Sequence, residues 1–322
     1  MGATEIEWAT DSWNPVTGCT PVSAGCAHCY AKRMSTRLRG RFSYPADEPF
    51  RVTLYPDRLD QPRHWRKPRR VFVCSMGDLF HPDVPFEFRE KIWQTMFAAT
   101  RHTYMILTKR PQRMAEEWHS LECLGRGLAF WNGQPASHIW AGTTCEDQAT
   151  ANERLLWLQK CPAAVRFVSH EPALGRVDWQ FTDWVCARCR GPVTRTQRLR
   201  HATIDCATCG PDQHFVKIFV GNDIDLIIAG GETGPGARPT HPNVFRSDRD
   251  QCVAAGVKFF FKGWGDCAPI GAMSLDGVRR VHAGLRRIPE GRIDIGSEFM
   301  FRVGKKAAGR LLDGRTWDEM PE

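Results

Sequence analysis

The sequence predicts an α/β protein built as a full or partial (βα) barrel of the TIM type. Three observations carry this expectation. Short, continuously apolar runs recur along most of the chain, stretches with helical spacing separate them, and polar or glycine-rich residues directly follow each run. Strands that are apolar on both faces and alternate with helices belong to a parallel sheet covered by helices. The repetition suits a barrel better than a sandwich. A doubly wound open sheet is the alternative, because periodicity does not say whether a sheet closes.

Taken in order, residues 71–74 (VFVC) read as a buried strand, followed by a helix over 85–100. Residues 104–107 (YMIL) form the next strand, with a short helix after Pro111. Residues 138–141 (HIWA) are a strand, and 147–159 follow with helical spacing at Leu155, Leu156 and Leu158. Residues 165–168 (VRFV) and 226–229 (LIIA) are strands. A helix is expected after Ser247, which can cap it with Asp250 three residues on. Residues 257–261 close the series. The barrel is thus expected over residues 1–178 and 223–267, with an inserted four-cysteine, zinc-ribbon-like module at 179–222 and a small C-terminal extension at 268–322. In a parallel barrel the polar residues after the strands converge on one face, where active sites are built.

The composition, 42% hydrophobic and 25% charged, is that of a globular protein with enough apolar material for a sizeable core. There is no apolar run of about 18 residues to span a membrane. The opening MGATEIEWATDSW has neither a basic nor an apolar secretory region, and MGATEIE lacks the Ser/Thr of a myristoylation motif. A cytoplasmic protein is expected. The formal net charge of +8 is concentrated in two clusters, Arg63, Arg66, Lys67, Arg69 and Arg70, then Arg188, Arg190, Arg195, Arg198 and Arg200. Such clusters can track a phosphate backbone or simply be solvated. Trp13, Trp65, Trp140 and Trp264 could stack bases or pack in the core.

Thirteen cysteines in a reducing compartment point to metal ligation rather than disulfides. Cys186-x2-Cys189 and Cys206-x2-Cys209 have the spacing of a closed four-thiolate site, structural zinc or a rubredoxin-type iron. Cys19-x6-Cys26-x2-Cys29 is an incomplete set. Zinc would need a fourth ligand, for which His28 is a candidate; a [4Fe–4S] cluster on three thiolates would leave one iron open to a small molecule.

A three-cysteine loop ending Cys-x2-Cys-aromatic and leading into a helix of a (βα) barrel resembles the radical S-adenosylmethionine (SAM) superfamily. The common first gap there is three residues, whereas here it is six. More closely, TDSWNPVTGCTPVSAGCAHCYA resembles a phage- and bacterium-associated three-cysteine family, as do VFVCSMGDLFH, ILTKRP, VSHEPALG, IIAGGETGPGARP and GKKAAGRLLDGRTWDEMP. The resemblance implies that Cys19, Cys26 and Cys29 ligate the cluster, whose open iron takes the amino and carboxylate groups of SAM. It implies Tyr30 near the adenine, Ser75, Met76, Gly77 and Asp78 at the methionine amino group, and Lys109 or Arg110 at its carboxylate. His170 and Glu171 would meet the ribose, and Gly230, Gly231 and Glu232 the adenine edge or the substrate. Asp78 and Glu171 could equally cap turns, His170 could be a core histidine, and the glycines could be a tight turn.

The arginine clusters and the resemblance together point to a nucleic acid or nucleotide substrate, as in radical SAM enzymes that repair or modify bases, spore photoproduct lyases included. Cys74 or Cys145, at strand ends, could donate hydrogen there, and a separate electron donor would reduce the cluster. The competing class is a non-enzymatic zinc adaptor for nucleic acid with both cysteine groups structural. A zinc hydrolase or deaminase ranks lower, because the His-x-Glu element is missing.

Overall fold

The computed structural model describes residues 4, 6–123, 130–131, 134–179, 182–186, 193–198, 201–206, 215–219, 224–282 and 299–322. Its centre is one seven-stranded parallel sheet: β1 (Asp11–Trp13), β2 (Arg70–Val73), β3 (Thr103–Thr108), β4 (Ile139–Thr144), β5 (Val165–His170), β6 (Leu226–Gly230) and β7 (Lys258–Gly263). Spatial order equals chain order throughout. A doubly wound sheet reverses direction at a switch point; this one does not, so the doubly wound alternative is set aside.

Alternation along the strands builds two cores. One face carries Val71, Val73, Ile106, Val168, Ile227 and Phe261. The helices α1 (Tyr30–Arg37), α2 (Phe86–Ala98), α3 (Pro111–Cys123), α4 (Gln148–Leu158) and α5 (Pro242–Ala255) connect successive strands, and the last four bring Trp93, Trp118, Leu155 and Phe245 to that face. The other face gathers Met105, Trp140, Phe167, Leu226, Ile228 and Phe260 around Trp8. The Trp8 ring lies 4.6 Å from Phe72 of β2 and 6.3 Å from Phe167 of β5. Three strand spacings in a flat sheet would separate those rings by about 14 Å, so the sheet curls around Trp8 into a partial barrel.

The two edge strands, β1 and β7, do not pair with each other. Along β7 the C-terminal segment forms an antiparallel bridge between Phe260 and Asp318, and Phe261 N–H donates to the Trp317 carbonyl. Met320 packs against the inner core. An ion pair of 2.8 Å between Glu7 and Lys305 ties the N-terminal segment to the short helix Lys305–Ala308.

Several expectations need correction. The last barrel helix starts at Pro242, capped by His241, whose side chain accepts from Asn243 N–H; Ser247 lies inside it. Proline preset for the first helical position outweighs the Ser-x-x-Asp pattern. The helix from Pro111 is 13 residues long, and β1 was not expected at all. Trp13, Trp140 and Trp264 are buried in the core, and Trp65 is half-buried under the Arg69 guanidinium, so none of the four offers a free stacking face. No helix among the described residues is long and apolar enough to cross a membrane.

Between β5 and β6 the described residues form two antiparallel pairs, Thr182–Cys186 with Phe215–Phe219 and Val193–Arg198 with His201–Cys206. Cys186 and Cys206 end their strands. Cys189, Cys209, Arg188, Arg190 and Arg200 lie outside the described residues.

A candidate active site on the cysteine-lined cavity

Parallel strands bring their carboxyl ends together, and a cavity of about 670 Å³ opens there. Cys19, Cys26 and Cys29 all line it, each half-buried and each a free thiol. Its walls include Tyr30, Cys74, Ser75, Gly77, Asp78, Lys109, Arg110, Glu171, Gly231 and Glu232. The apolar floor is Trp8, Phe72 and Leu107 from the inner core.

Three buried carboxylates pin the cysteine loop from different strands. Asp78, after β2, accepts from Thr108 Oγ1 and Phe80 N–H, and its other oxygen takes the Arg110 guanidinium at 2.7 Å. The same Arg110 nitrogen reaches Cys19 Sγ at 3.4 Å, and its neighbour donates to the Thr20 carbonyl. Glu146, after β4, accepts from Ser23 Oγ at 2.6 Å and pairs with both Lys109 and Arg154. Glu232, after β6, meets His28 Nδ1 at 2.9 Å and the Arg238 guanidinium, which donates onward to the Ala24 carbonyl. Glu171 pairs with Lys262 at 2.6 Å across the ends of β5 and β7.

These surroundings set the protonation states. Burial alone would push the Cys26 thiol up, but the Val22 N–H, the Lys109 charge and Ser23 together bring it below its ordinary value. Cys19 is pushed up to about 11, by burial first and then by the Asp78 charge, with Arg110 opposing. Burial holds Cys74 up at about 12. Burial would also raise Glu232, yet the hydrogen bonds from Arg238 and His28 prevail and hold it at about 2.

The residues expected at the site divide by strand parity. Ser169 and Glu171 face the cavity, while His170 between them points outward, fully buried, bonded to Asp248 at 2.8 Å and edge-on to Trp179. Cys145 likewise turns into the helix-covered core, whereas its neighbour Thr144 lines the cavity. Gly230 ends β6 at a register shift, with Gly231 at the cavity wall in its place. His170, Cys145 and Gly230 therefore stand apart from the cavity. Glu146, Lys262, Arg238 and Ser23 were missed, although Glu146 and Lys262 obey the rule that found the others: a polar residue at a strand's carboxyl end.

The chemistry of the donor set suits a three-thiolate cofactor. Among the described residues no three His, Cys, Asp or Glu side chains converge closely enough to hold a single metal ion. His28 lines the same cavity, its Nδ1 on Glu232 and its Nε2 close to Gly236. Three free thiols thus line the cavity together, with His28 engaged by Glu232 beside them.

The fold and the site define an α/β partial barrel with a cysteine-lined cavity at the carboxyl ends of its strands. The chain belongs to the family described as protein of unknown function (DUF5131), which it matches over residues 3–321. No curated protein and no solved structure matches it.

Proposed function

We propose that the protein is a radical SAM enzyme that acts on a nucleic acid or nucleotide. The observation that carries this reading is that Cys19, Cys26 and Cys29 all line the cavity at the strand ends. Three thiolates can hold a [4Fe–4S] cluster with one iron open to SAM, and that cofactor pair supplies reductive cleavage to methionine and a 5′-deoxyadenosyl radical. Around it the chain's own residues have separable tasks. Lys109, Arg110 and Lys262 offer cations to a carboxylate, and Asp78 and Glu171 offer acceptors to an amine or to ribose hydroxyls. Tyr30, 44% exposed at the cavity wall, offers a face to adenine. Cys74 lines the cavity and stays protonated, as a hydrogen donor must. The four-cysteine insertion is read as a closed zinc site, and a separate electron donor would reduce the cluster.

Anaerobic reconstitution with iron and sulfide, followed by reductant and SAM, should give a brown protein that releases 5′-deoxyadenosine. Replacing Cys19, Cys26 or Cys29 by Ala should abolish both iron binding and SAM cleavage. A colourless protein with about two zinc ions, or an iron-loaded one that leaves SAM intact, would overturn the reading.

A further inference from the structure

One wall of the cavity includes α1, and the outward face of that helix is basic. Ala31 and Met34 pack inward with Tyr44 and Met76. The opposite side carries Lys32, Arg33 and Arg37, and the chain continues through Arg39 and Arg41. All but Arg33 are exposed. None of the five makes an ion pair among the described residues, and no Asp or Glu occurs between Tyr30 and Ala46. The Arg33 guanidinium lies over Gly234, at the position a side chain there would fill, next to the cavity-lining Thr233.

At the end of this basic strip stands Phe42, 72% exposed, on a left-handed backbone with φ of 51°; Ser43 follows at 66°. A bulky residue in that region is a strained outlier. Two buried side chains hold it: Arg58 Nη2 donates to the Phe42 carbonyl and the Tyr55 hydroxyl to the Ser43 carbonyl, both at 3.1 Å. The ring nevertheless stays in solvent, so intramolecular packing does not account for the strain.

We infer that the outer face of α1 and the loop to Phe42 form a docking surface for single-stranded DNA that leads into the cavity. Unpaired cations in a row match a phosphodiester backbone, and a projecting aromatic beside them stacks on an unstacked base, which a duplex does not offer. The strip's cations and its aromatic address phosphate and base face rather than a ribose 2′-hydroxyl, the group by which RNA is told from DNA, so DNA is the strand assigned. The inference rests on the proposed function only for what happens in the cavity, and it differs from the first of the two arginine clusters read from the sequence. Arg63, Arg66 and Lys67 precede β2 and so lie at the opposite end of the sheet from the cavity, while Arg69 and Arg70 are occupied with Asp11 and the Trp8 carbonyl.

The test is fluorescence anisotropy of labelled oligothymidylate with the full-length reconstituted protein. Oligouridylate and thymidine 5′-monophosphate serve as the RNA and monomer arms. The triple variant Arg37→Glu/Arg39→Glu/Arg41→Glu should bind at least about tenfold more weakly. The milder triple Arg→Gln variant should reduce the salt dependence by about two counterions, and Phe42→Ala should weaken binding about tenfold. Arg63→Glu/Arg66→Glu/Lys67→Glu should leave binding unchanged. Unaltered binding by the Arg37/Arg39/Arg41 and Phe42 variants, equal loss from the opposite-end variant, no oligonucleotide binding by the parent protein, or binding of RNA as tight as or tighter than that of DNA would overturn the assignment. SAM cleavage without DNA is read separately, so failure of the docking surface and failure of the cluster reading are distinguishable.

Discussion

At the scale of single residues, the site is organised by buried carboxylates that each hold part of the cysteine loop. Glu232 gives the clearest consequence. Its folded-state value of about 2 lies below the ordinary 4.5, so its contribution to stability is fully present above about 4.5 and is lost as pH falls toward about 2. Glu232→Gln should therefore be less stable than the parent near neutrality and show a smaller loss across that acid window. Thermal unfolding followed through the window checks this; parallel curves for the two proteins would show that the carboxylate's charge is not what anchors His28 and Arg238. Which residues would face the cavity was itself partly legible. Polar residues after each strand were the right places to look, but alternation decides between neighbours. Ser169 and Glu171 share one face and His170 takes the other, as the period of two requires. The same rule sends Thr144 inward and Cys145 outward.

At the scale of elements, the continuous apolar runs placed β2 to β7 well, because strands buried on both faces cannot be anything but apolar. β1 escaped notice for the converse reason. It is three residues long, and its Asp11 is compensated by Arg69 rather than by an apolar pattern. The inner core also sets a size limit between strands. Gly142 of β4 is buried, and a Cβ there would come within 2.3 Å of the Phe167 ring on β5. Gly142→Ala should accordingly destabilise the fold by about 1–3 kcal/mol through overpacking. Denaturant unfolding measures it, and a paired Gly142→Ala/Phe167→Leu variant should recover part of the loss.

At the scale of the whole molecule, strand order alone separates a singly wound partial barrel from a doubly wound sheet, and composition cannot report strand order. Nor could the charge count reveal that the basic stretch before β2 sits at the end of the sheet remote from the cavity, because that depends on all seven strands running the same way. The exposed edge of β7 is covered by the segment running to Met320, with the Trp264 indole donating to the Leu311 carbonyl at 2.8 Å and Trp317 edge-on to Phe259. A chain ending at Gly309 would leave that edge open for pairing with other chains. It should lose more than about 3 kcal/mol of stability and aggregate, as light scattering would register; a monodisperse, equally stable truncation would show that the strip is dispensable.

Identity of spatial and chain order also gives synthesis a direction. Each strand that leaves the ribosome after β1 meets an edge already laid down, so the sheet can grow from one side without waiting for a distant partner. The cysteine loop emerges early, before six of the seven strands of the sheet. Lys262 and the strip along β7 come last. Whatever is loaded into the nascent protein would enter an open trough, and the wall would close behind it.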